Sequence, residues 1–392
     1  MKRLVSIMLV LIILFLCSCQ TQEIRTYKDN KNEGYTLDLH AFKNIGYSNL
    51  NEALDLISTA KKVTAEDMFE IDKFEIKAES QTPPQIAIVW GEVYAAITLE
   101  EKAYLYKVED TKQNLLYEAS SIHSLFEHNG CLLFSATESS ESNVYKLMKY
   151  DPRTKTLIRL NETHSDKLPI YSSCGDYISV TDSPELNSFG NAYMHDEKCN
   201  VSFCNFSTGE EKDSNKTVIH VKESVVPVKD VKNNLYITFD RITSKLLFYD
   251  ADKQMVVSQS MLDVIGRHSL ICKFFGSRLL MKDSNDLVIY DFKDNSYRLI
   301  YKPNFDRVQN GEIYGEVCEI IDDIIIFTDL DNLLAYDMKN NTFTTLGAIE
   351  DMSYSGTDNE TTFAFCKANV DLIDDELYYS IYRYKLIGTN KD

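Results

Sequence analysis

One cysteine sits at a spacing that defines its chemistry. Cys19 ends the run Leu16-Cys17-Ser18-Cys19. Directly before it lie residues 4–16, apolar but for Ser6, and the basic start Met1-Lys2-Arg3. A basic start, a short apolar core and a small residue at its end are the parts of an export signal. The apolar run is shorter than the roughly 20 residues a membrane span needs. A cut before Cys19 leaves its thiol on the first residue of the mature chain. The other residue types that do chemistry are dispersed. His40, His123, His128, His164, His195, His220 and His268 form neither His-Glu-x-x-His nor His-x-His. Cys-x-x-Cys, a glycine-rich phosphate loop and the Gly-x-Ser-x-Gly elbow do not occur. Asp329-Leu330-Asp331-Asn332 has the look of a small metal loop, but it falls between two apolar runs, where a tight turn is expected.

The Cys19 arrangement resembles the signal of bacterial lipoproteins. That resemblance implies an acyl-modified Cys19, residues 1–18 removed, and a protein held outside the cytoplasm on a membrane. Removing residues 1–18 deletes Lys2 and Arg3, so the net charge moves from −19 to 39 − 60 = −21. Such a balance argues against nucleic acid, whose phosphates must be neutralised by Lys and Arg. It also disfavours adsorption to anionic lipid, which leaves anchoring to the acyl chains. It suits cationic partners or divalent ions. A 44% hydrophobic content with charges spread along the chain is that of a globular protein.

Past the signal remain Cys131, Cys174, Cys199, Cys204, Cys272, Cys318 and Cys366, an odd number that leaves at least one unpaired within the chain. Several head or interrupt apolar runs, as in Cys131-Leu-Leu-Phe134. Buried free thiols are the expectation there, because a free Cys packs as a small hydrophobe. A Cys199–Cys204 bridge or a bridge between neighbouring strands is the alternative.

A repeated unit sets the fold. Leu247-Phe-Tyr-Asp250, Val288-Ile-Tyr-Asp291 and Leu334-Ala-Tyr-Asp337 each end an apolar run. Leu147-Met-Lys-Tyr-Asp151 is an earlier copy, one residue longer. A polar turn follows each, and then another alternating run such as Ser296–Tyr301, which is the pattern of a β-hairpin. A further strand precedes each hairpin, as in 234–239, 277–281 and 323–327. Fainter copies centre on 108, 204 and 384, and the spacing averages near 45 residues. Three to four strands per unit at this period predict an all-β fold, a β-propeller, because a sheet that cannot bury both faces alone does so against neighbours in a ring. Seven blades is the count, and six or eight also fit the spacing.

The last unit stops short of a fourth strand. Phe69–Lys77 alternates apolar and charged residues before the first unit, and we expect it to supply the missing strand. The chain then divides into a signal peptide at 1–18, a flexible spacer at 19–47, an amphipathic helix at 48–66 and the propeller at 67–392. The helix is read from Leu50, Ala53, Leu54 and Ile57 on one face, with Asn49 and Glu52 placed as a cap. It serves either as packing for the ring or as a docking helix.

Leu235-Tyr-Ile-Thr-Phe-Asp240 and Ile325-Ile-Phe-Thr-Asp329, each followed by a strand ending in Tyr-Asp, resemble YWTD-type propellers. These occur in low-density-lipoprotein-receptor-related domains and in bacterial lipoproteins. The motif's tryptophan is replaced throughout, the one Trp here being Trp90. The resemblance spans 85–390 and implies binding of proteins or ligands rather than catalysis.

In this register the connections between second and third strands open on one face. Ranges 100–102, 138–141, 182–198, 240–245, 282–286, 329–331 and 367–376 hold 17 acidic residues and six basic ones. The candidate ligand rim is therefore Tyr193, Met194, His195 and Asp196 from the longest connection, with Asp329, Asp331, Asp374 and Asp375. It suits a cationic ligand, Ca²⁺ or a basic protein patch. No resident metal or cofactor and no catalytic residue is expected. The function read from the sequence is a lipid-anchored extracytoplasmic propeller that binds protein or carbohydrate. The alternatives are a hydrolase or lyase acting on polysaccharide, or a scaffold in an envelope assembly.

Overall fold

Buried tyrosines and the turns that follow them build the repeat in the computed structural model. Tyr249, Tyr290 and Tyr336 are almost wholly buried, and Tyr150 nearly so. The aspartate after each holds the next turn. Asp151 Oδ1 accepts from the Arg153 N–H at 2.9 Å. Asp250 Oδ1 accepts from Asp252 and Lys253, Asp291 Oδ1 from Lys293, and Asp337 Oδ1 from Lys339 and Asn340. Asn205 does the same for Ser207 and Thr208. A short side-chain acceptor that satisfies backbone N–H groups two and three residues on is an Asx turn. The Tyr-Asp repeat is thus one buried ring and one turn acceptor, reused.

The structure describes residues 26–28, 34–36, 55–77, 82–99, 102–109, 112–139, 143–166, 168–182, 199–210, 217–219, 234–240, 245–253, 255–261, 270–283, 286–294, 296–302, 318–329, 331–348, 352–358, 360–373 and 376–388. Among them the strands form an all-β propeller of antiparallel sheets that follow one another along the chain. The first sheet is Gln85–Val89, Glu92–Leu99, Lys102–Glu109 and Lys112–Ala119. The second is Ser121–His128, Cys131–Thr137, Val144–Asp151 and Thr156–His164. The third is Pro169–Cys174, Tyr177–Asp182, Cys199–Asn205 and Thr217–Ile219. The fourth has three strands, Leu235–Asp240, Lys245–Asp250 and Met255–Met261. The fifth is Leu270–Phe275, Arg278–Asp283, Asp286–Asp291 and Ser296–Tyr301. The sixth is Cys318–Ile321, Ile324–Thr328, Asn332–Asp337 and Thr342–Ala348. The seventh combines Met352–Thr357, Thr362–Ile373 and Glu376–Leu386 with Phe69–Lys77. Six of these sheets therefore have four or more strands, and one has three.

Each sheet shares an apolar junction with the next, which is what makes a ring from a row. Leu105 and Tyr94 pack with Phe134 and Met148 between the first and second sheets. Leu133 and Leu147 pack with Tyr171 and Ile178 between the second and third. Phe203 stacks on Tyr249 with centroids 5.2 Å apart between the third and fourth. Phe248 meets Phe292 edge-on between the fourth and fifth. Ile289 packs with Ile325 and Tyr336 between the fifth and sixth, and Ile326 and Leu333 with Phe363 and Phe365 between the sixth and seventh. Ile88 and Val93 then meet Cys366 and Ile381, so the seventh sheet closes on the first.

Phe69–Lys77 is the outer strand of the seventh sheet. It pairs antiparallel with Glu376–Leu386 along its whole length, from Phe69 opposite Leu386 to Lys77 opposite Tyr378. Its apolar residues change face midway. Phe69 and Ile71 pack toward the sixth sheet, and Phe74 and Ile76 toward the first. One strand thereby seals two junctions. Arg383 fixes it: its Nε and Nη2 donate to Asp72 Oδ2 at 3.0 and 2.6 Å, and its Nη1 donates to Gly91 O at 2.5 Å in the first sheet.

The helix expected over 48–66 is not what the described residues form. Leu56–Thr59 is α-helical, capped by Asp55, Ala60 is already extended, and Ala65–Asp67 forms a separate 3-10 turn. Lys61–Lys62 then run parallel to Thr342 and Phe343 on the outer edge of the sixth sheet. Lys61 N–H donates to Asn341 O and Val63 N–H to Phe343 O, so the edge takes the backbone bonds a longer helix would use. Residues 48–54 lie outside the described residues. Asp55 Oδ2 also accepts from Lys302 N–H of the fifth sheet. Residues 55–77 thus strap the outer edges of the fifth, sixth and seventh sheets. Within the expected spacer, Thr26–Lys28 and Gly34–Thr36 pair as a two-stranded ladder. No helix among the described residues is long and apolar enough to cross a membrane.

Cys131, Cys174, Cys204 and Cys366 are buried, and Cys131 and Cys366 are free thiols. The Cys199–Cys204 bridge is excluded by geometry. Both lie on the strand Cys199–Asn205, where Cα atoms five residues apart are separated by roughly 16 Å, beyond the reach of a disulfide.

Candidate functional site

The strand order brings the ends of second strands and the starts of third strands to one edge of the ring, as at Leu99 and Lys102, Thr137 and Val144, Asp283 and Asp286, and Thr328 and Asn332. Cys19, Tyr193, Met194, His195, Asp196, Asp374 and Asp375 lie outside the described residues. Asp329 and Asp331 lie within them. Asp329 Oδ1 accepts from Asp331 N–H at 2.7 Å and Asn332 N–H at 2.6 Å, and Asp329 N–H donates to Asn332 O. One carboxylate oxygen is therefore committed to a tight turn. Among the described residues no group of three His, Cys, Asp or Glu is placed to hold a metal ion.

Two rim carboxylates and lysines neutralise one another locally. Lys146 Nζ donates to Glu138 Oε1 and holds that carboxyl below its ordinary value. Lys102 Nζ donates to Glu118 Oε1, which raises the lysine. Both pairs are exposed, so each contributes little to stability.

The first strands of neighbouring sheets approach one another, Gln85–Val89 with Ser121–His128 and Leu270–Phe275 with Cys318–Ile321 among them, and so surround the axis. Two polar features lie on these strands. Lys273 Nζ pairs with Glu319 Oε2 between the fifth and sixth sheets, and the Lys273 side chain is 7% exposed. In the second sheet, His123 Nε2 is 2.9 Å from Ser121 Oγ, which is 2.6 Å from Thr137 Oγ1. Burial lowers the His123 pKa, so the ring is neutral at pH 7. The next residue, Ser124, has φ +52°, a left-handed conformation for a non-glycine residue beside a register shift. A serine within hydrogen-bond reach of a neutral imidazole can exchange a proton with it. Among the described residues no hydrogen bond reaches His123 Nδ1 to orient the ring as a triad would.

Sequence reasoning passed over both features. The signals were present: a lysine inside Leu270-Ile-Cys-Lys-Phe-Phe275, a glutamate inside Cys318-Glu-Ile-Ile321, and a Ser-x-His step opening a strand.

The opposite edge of the ring carries the turns between first and second strands, and these bond from sheet to sheet. Trp90 Nε1 donates to Gly130 O at 2.9 Å. Asn129 Nδ2 donates to Gly175 O, Asp176 N–H to Asn234 Oδ1, and Arg278 Nη1 to Asp322 O. Trp90 is half exposed, with the Arg153 guanidinium 3.9 Å above its ring. Gly130 has φ +73°, and a Cβ there would lie 2.4 Å from Trp90 Cζ2. Only glycine fits beneath the indole.

No protein-family model matches the chain, and no curated protein matches it. Among solved structures it is similar to an oligogalacturonate lyase in complex with manganese, at 11% identity and TM-score 0.48 over 93% of this chain and 96% of that one. It is similar to the β-propeller domain of Cps50 (Swd1) from Myceliophteria thermophila, at 10% identity and TM-score 0.45 over 79% and 99%. It is similar also to Hsv2 from Kluyveromyces lactis, at 11% identity and TM-score 0.42 over 76% and 96%. Likeness at this level bears on neither activity nor ligand.

Proposed function

We propose that this chain is a bacterial lipoprotein, acylated at Cys19, whose propeller binds a protein or carbohydrate ligand at the outer side of a membrane without catalysing a reaction. In this reading the three-stranded sheet counts as a blade, giving seven. The observation that supports it is the common edge at which second strands end and third strands begin. A rigid ring presents the variable segments between them together, and long connections on rigid scaffolds are where binding concentrates. Their excess of acidic over basic residues selects for a cationic ligand face and speeds its encounter.

The test uses the full chain expressed in a bacterium. Mass spectrometry of the membrane fraction should find a diacylglyceryl adduct on Cys19, and Cys19→Ser should move the protein out of that fraction. Cross-linking in the native envelope should trap a specific partner or glycan. A variant with Asp329, Asp331, Asp374 and Asp375 all changed to Asn should lose most of that product, and added salt should weaken it in the parent. An unmodified Cys19, or a cross-linking pattern indifferent to both the variant and salt, defeats the respective half of the proposal.

A further inference from the structure

Buried polar atoms are satisfied in folded proteins with few exceptions, and an exception calls for a cause. Among the described residues, Ser135 Oγ, Ser173 Oγ, Asn161 Oδ1 and Thr163 Oγ1 are buried with no hydrogen-bond partner in the protein. All four lie at one junction, between the second and third sheets. Leu133 faces the third sheet, and Ser135 is two residues along the same strand, hence on the same face. Tyr171 faces the second sheet, and Ser173 follows it by two. Asn161 lies opposite Leu147 in register, and its Nδ2 donates to Gly209 O of the third sheet at 3.0 Å. Thr163 is two residues further on the same face.

The other junctions differ. Those of the seventh sheet with the first, the fifth with the sixth and the sixth with the seventh are closed by aliphatic and aromatic clusters. At the second–third junction the polar row continues toward the rim. His123 is the cross-strand partner of Ser135, and it leads through Ser121 to Thr137, the last residue of its strand. Ser121 and His123 are half-buried, so the row reaches from the interior to solvent. Every group in it is uncharged, since burial keeps the His123 imidazole neutral.

We propose that this junction binds internal water: ordered molecules that bridge the Ser135 and Ser173 hydroxyls at its inner side and Asn161 Oδ1 and Thr163 Oγ1 at its outer side. A dry hydroxyl loses its hydration and gains nothing in return, whereas a water with two to four polar partners restores the bonds. Neutral hydroxyl and amide groups suit water, which donates and accepts, better than an ion, for which the row offers no compensating charge. A hydrated seam here sets this junction apart from the three apolar junctions named above.

A crystal structure at about 1.5 Å resolution should show full-occupancy waters within hydrogen-bond distance of Ser135 Oγ and Ser173 Oγ. In solution, Ser135→Ala and Ser173→Ala should each lower Tm by several degrees, because each strips a bridging water of a partner. If the hydroxyls are dry, alanine removes an unsatisfied group and Tm rises. A dry junction in the crystal, or unchanged or raised Tm values, overturns the proposal. Should either variant fail to fold, the crystallographic result on the unmodified chain decides.

Discussion

A lysine and a glutamate drawn toward the interior offset part of their desolvation through each other. Lys273 and Glu319 are in that position, on the first strands of adjacent sheets. Lys273→Met should destabilise the fold by about 3 kcal/mol, the lower end of the range for breaking a buried pair, because Glu319 keeps 22% side-chain exposure. The double change Lys273→Met with Glu319→Leu should recover most of that loss. Chemical denaturation of the two variants checks this, and equal loss in both rules out the pair as the cause. The sequence makes the lysine conspicuous within an apolar strand but hides its partner 46 residues away, since only the ring brings the two strands together. Asp329 shows the opposite case. Its turn is local, within four residues, and local hydrogen-bonding chemistry is legible in a sequence.

At the scale of elements, the repeat was readable because each unit reuses the same short-range physics. The Tyr-Asp step marks where the third strand ends and an Asx turn begins, whatever lies elsewhere. Asp337→Ala should therefore cost about 1 kcal/mol, by analogy with loss of a helix cap, while Asp337→Asn should stay within a few tenths. Thermal unfolding compares them, and an equal loss in both would assign the effect to charge rather than to the turn. The helix expected to run to residue 66 stops at Thr59 for the complementary reason. Leu50, Ala53, Leu54 and Ile57 have helical spacing, but the exposed edge at Thr342–Phe343 offers backbone partners that capture Lys61–Val63. Tertiary pairing overrides local propensity there. The closing strand was legible from its alternation, although its change of face was not. A chain beginning at residue 78 leaves Glu376–Leu386 without its outer partner and strips both closing junctions of Phe69, Phe74 and Ile76. It should aggregate or unfold without cooperativity, and Arg383→Ala in the full chain should reproduce a milder form. Size-exclusion chromatography and circular dichroism distinguish these from an unaffected ring.

For the whole molecule, the decisive property is that stability is divided among junctions of which one must join distant ends of the chain. That junction contains Cys366, whose thiol burial pushes from 9.0 up to about 12. Burial likewise raises Tyr379 at the same junction and Tyr384 one junction away. For an acid whose folded pKa is raised, the unfolded chain ionises first as pH climbs. The stabilising difference is complete below the unfolded value and disappears as pH rises through the folded one. His123, with a lowered folded pKa, acts in the other sense: its contribution is complete above the unfolded value near 6.5 and is lost as pH falls. Stability should thus form a plateau from about pH 7 to 9 and then decline steeply between about 9 and 12. Cys366→Ala should flatten the alkaline decline. Trp90, the single tryptophan, sits on the turn whose neighbour Gly91 receives the Arg383 bond from the seventh sheet. Its emission therefore reports on closure of the ring while circular dichroism reports on the sheets. If the closing junction yields first, the tryptophan transition should precede the dichroism transition at pH 10–11, and coincide with it at pH 7. Coincidence at both pH values would mean that the ring opens nowhere before it unfolds everywhere.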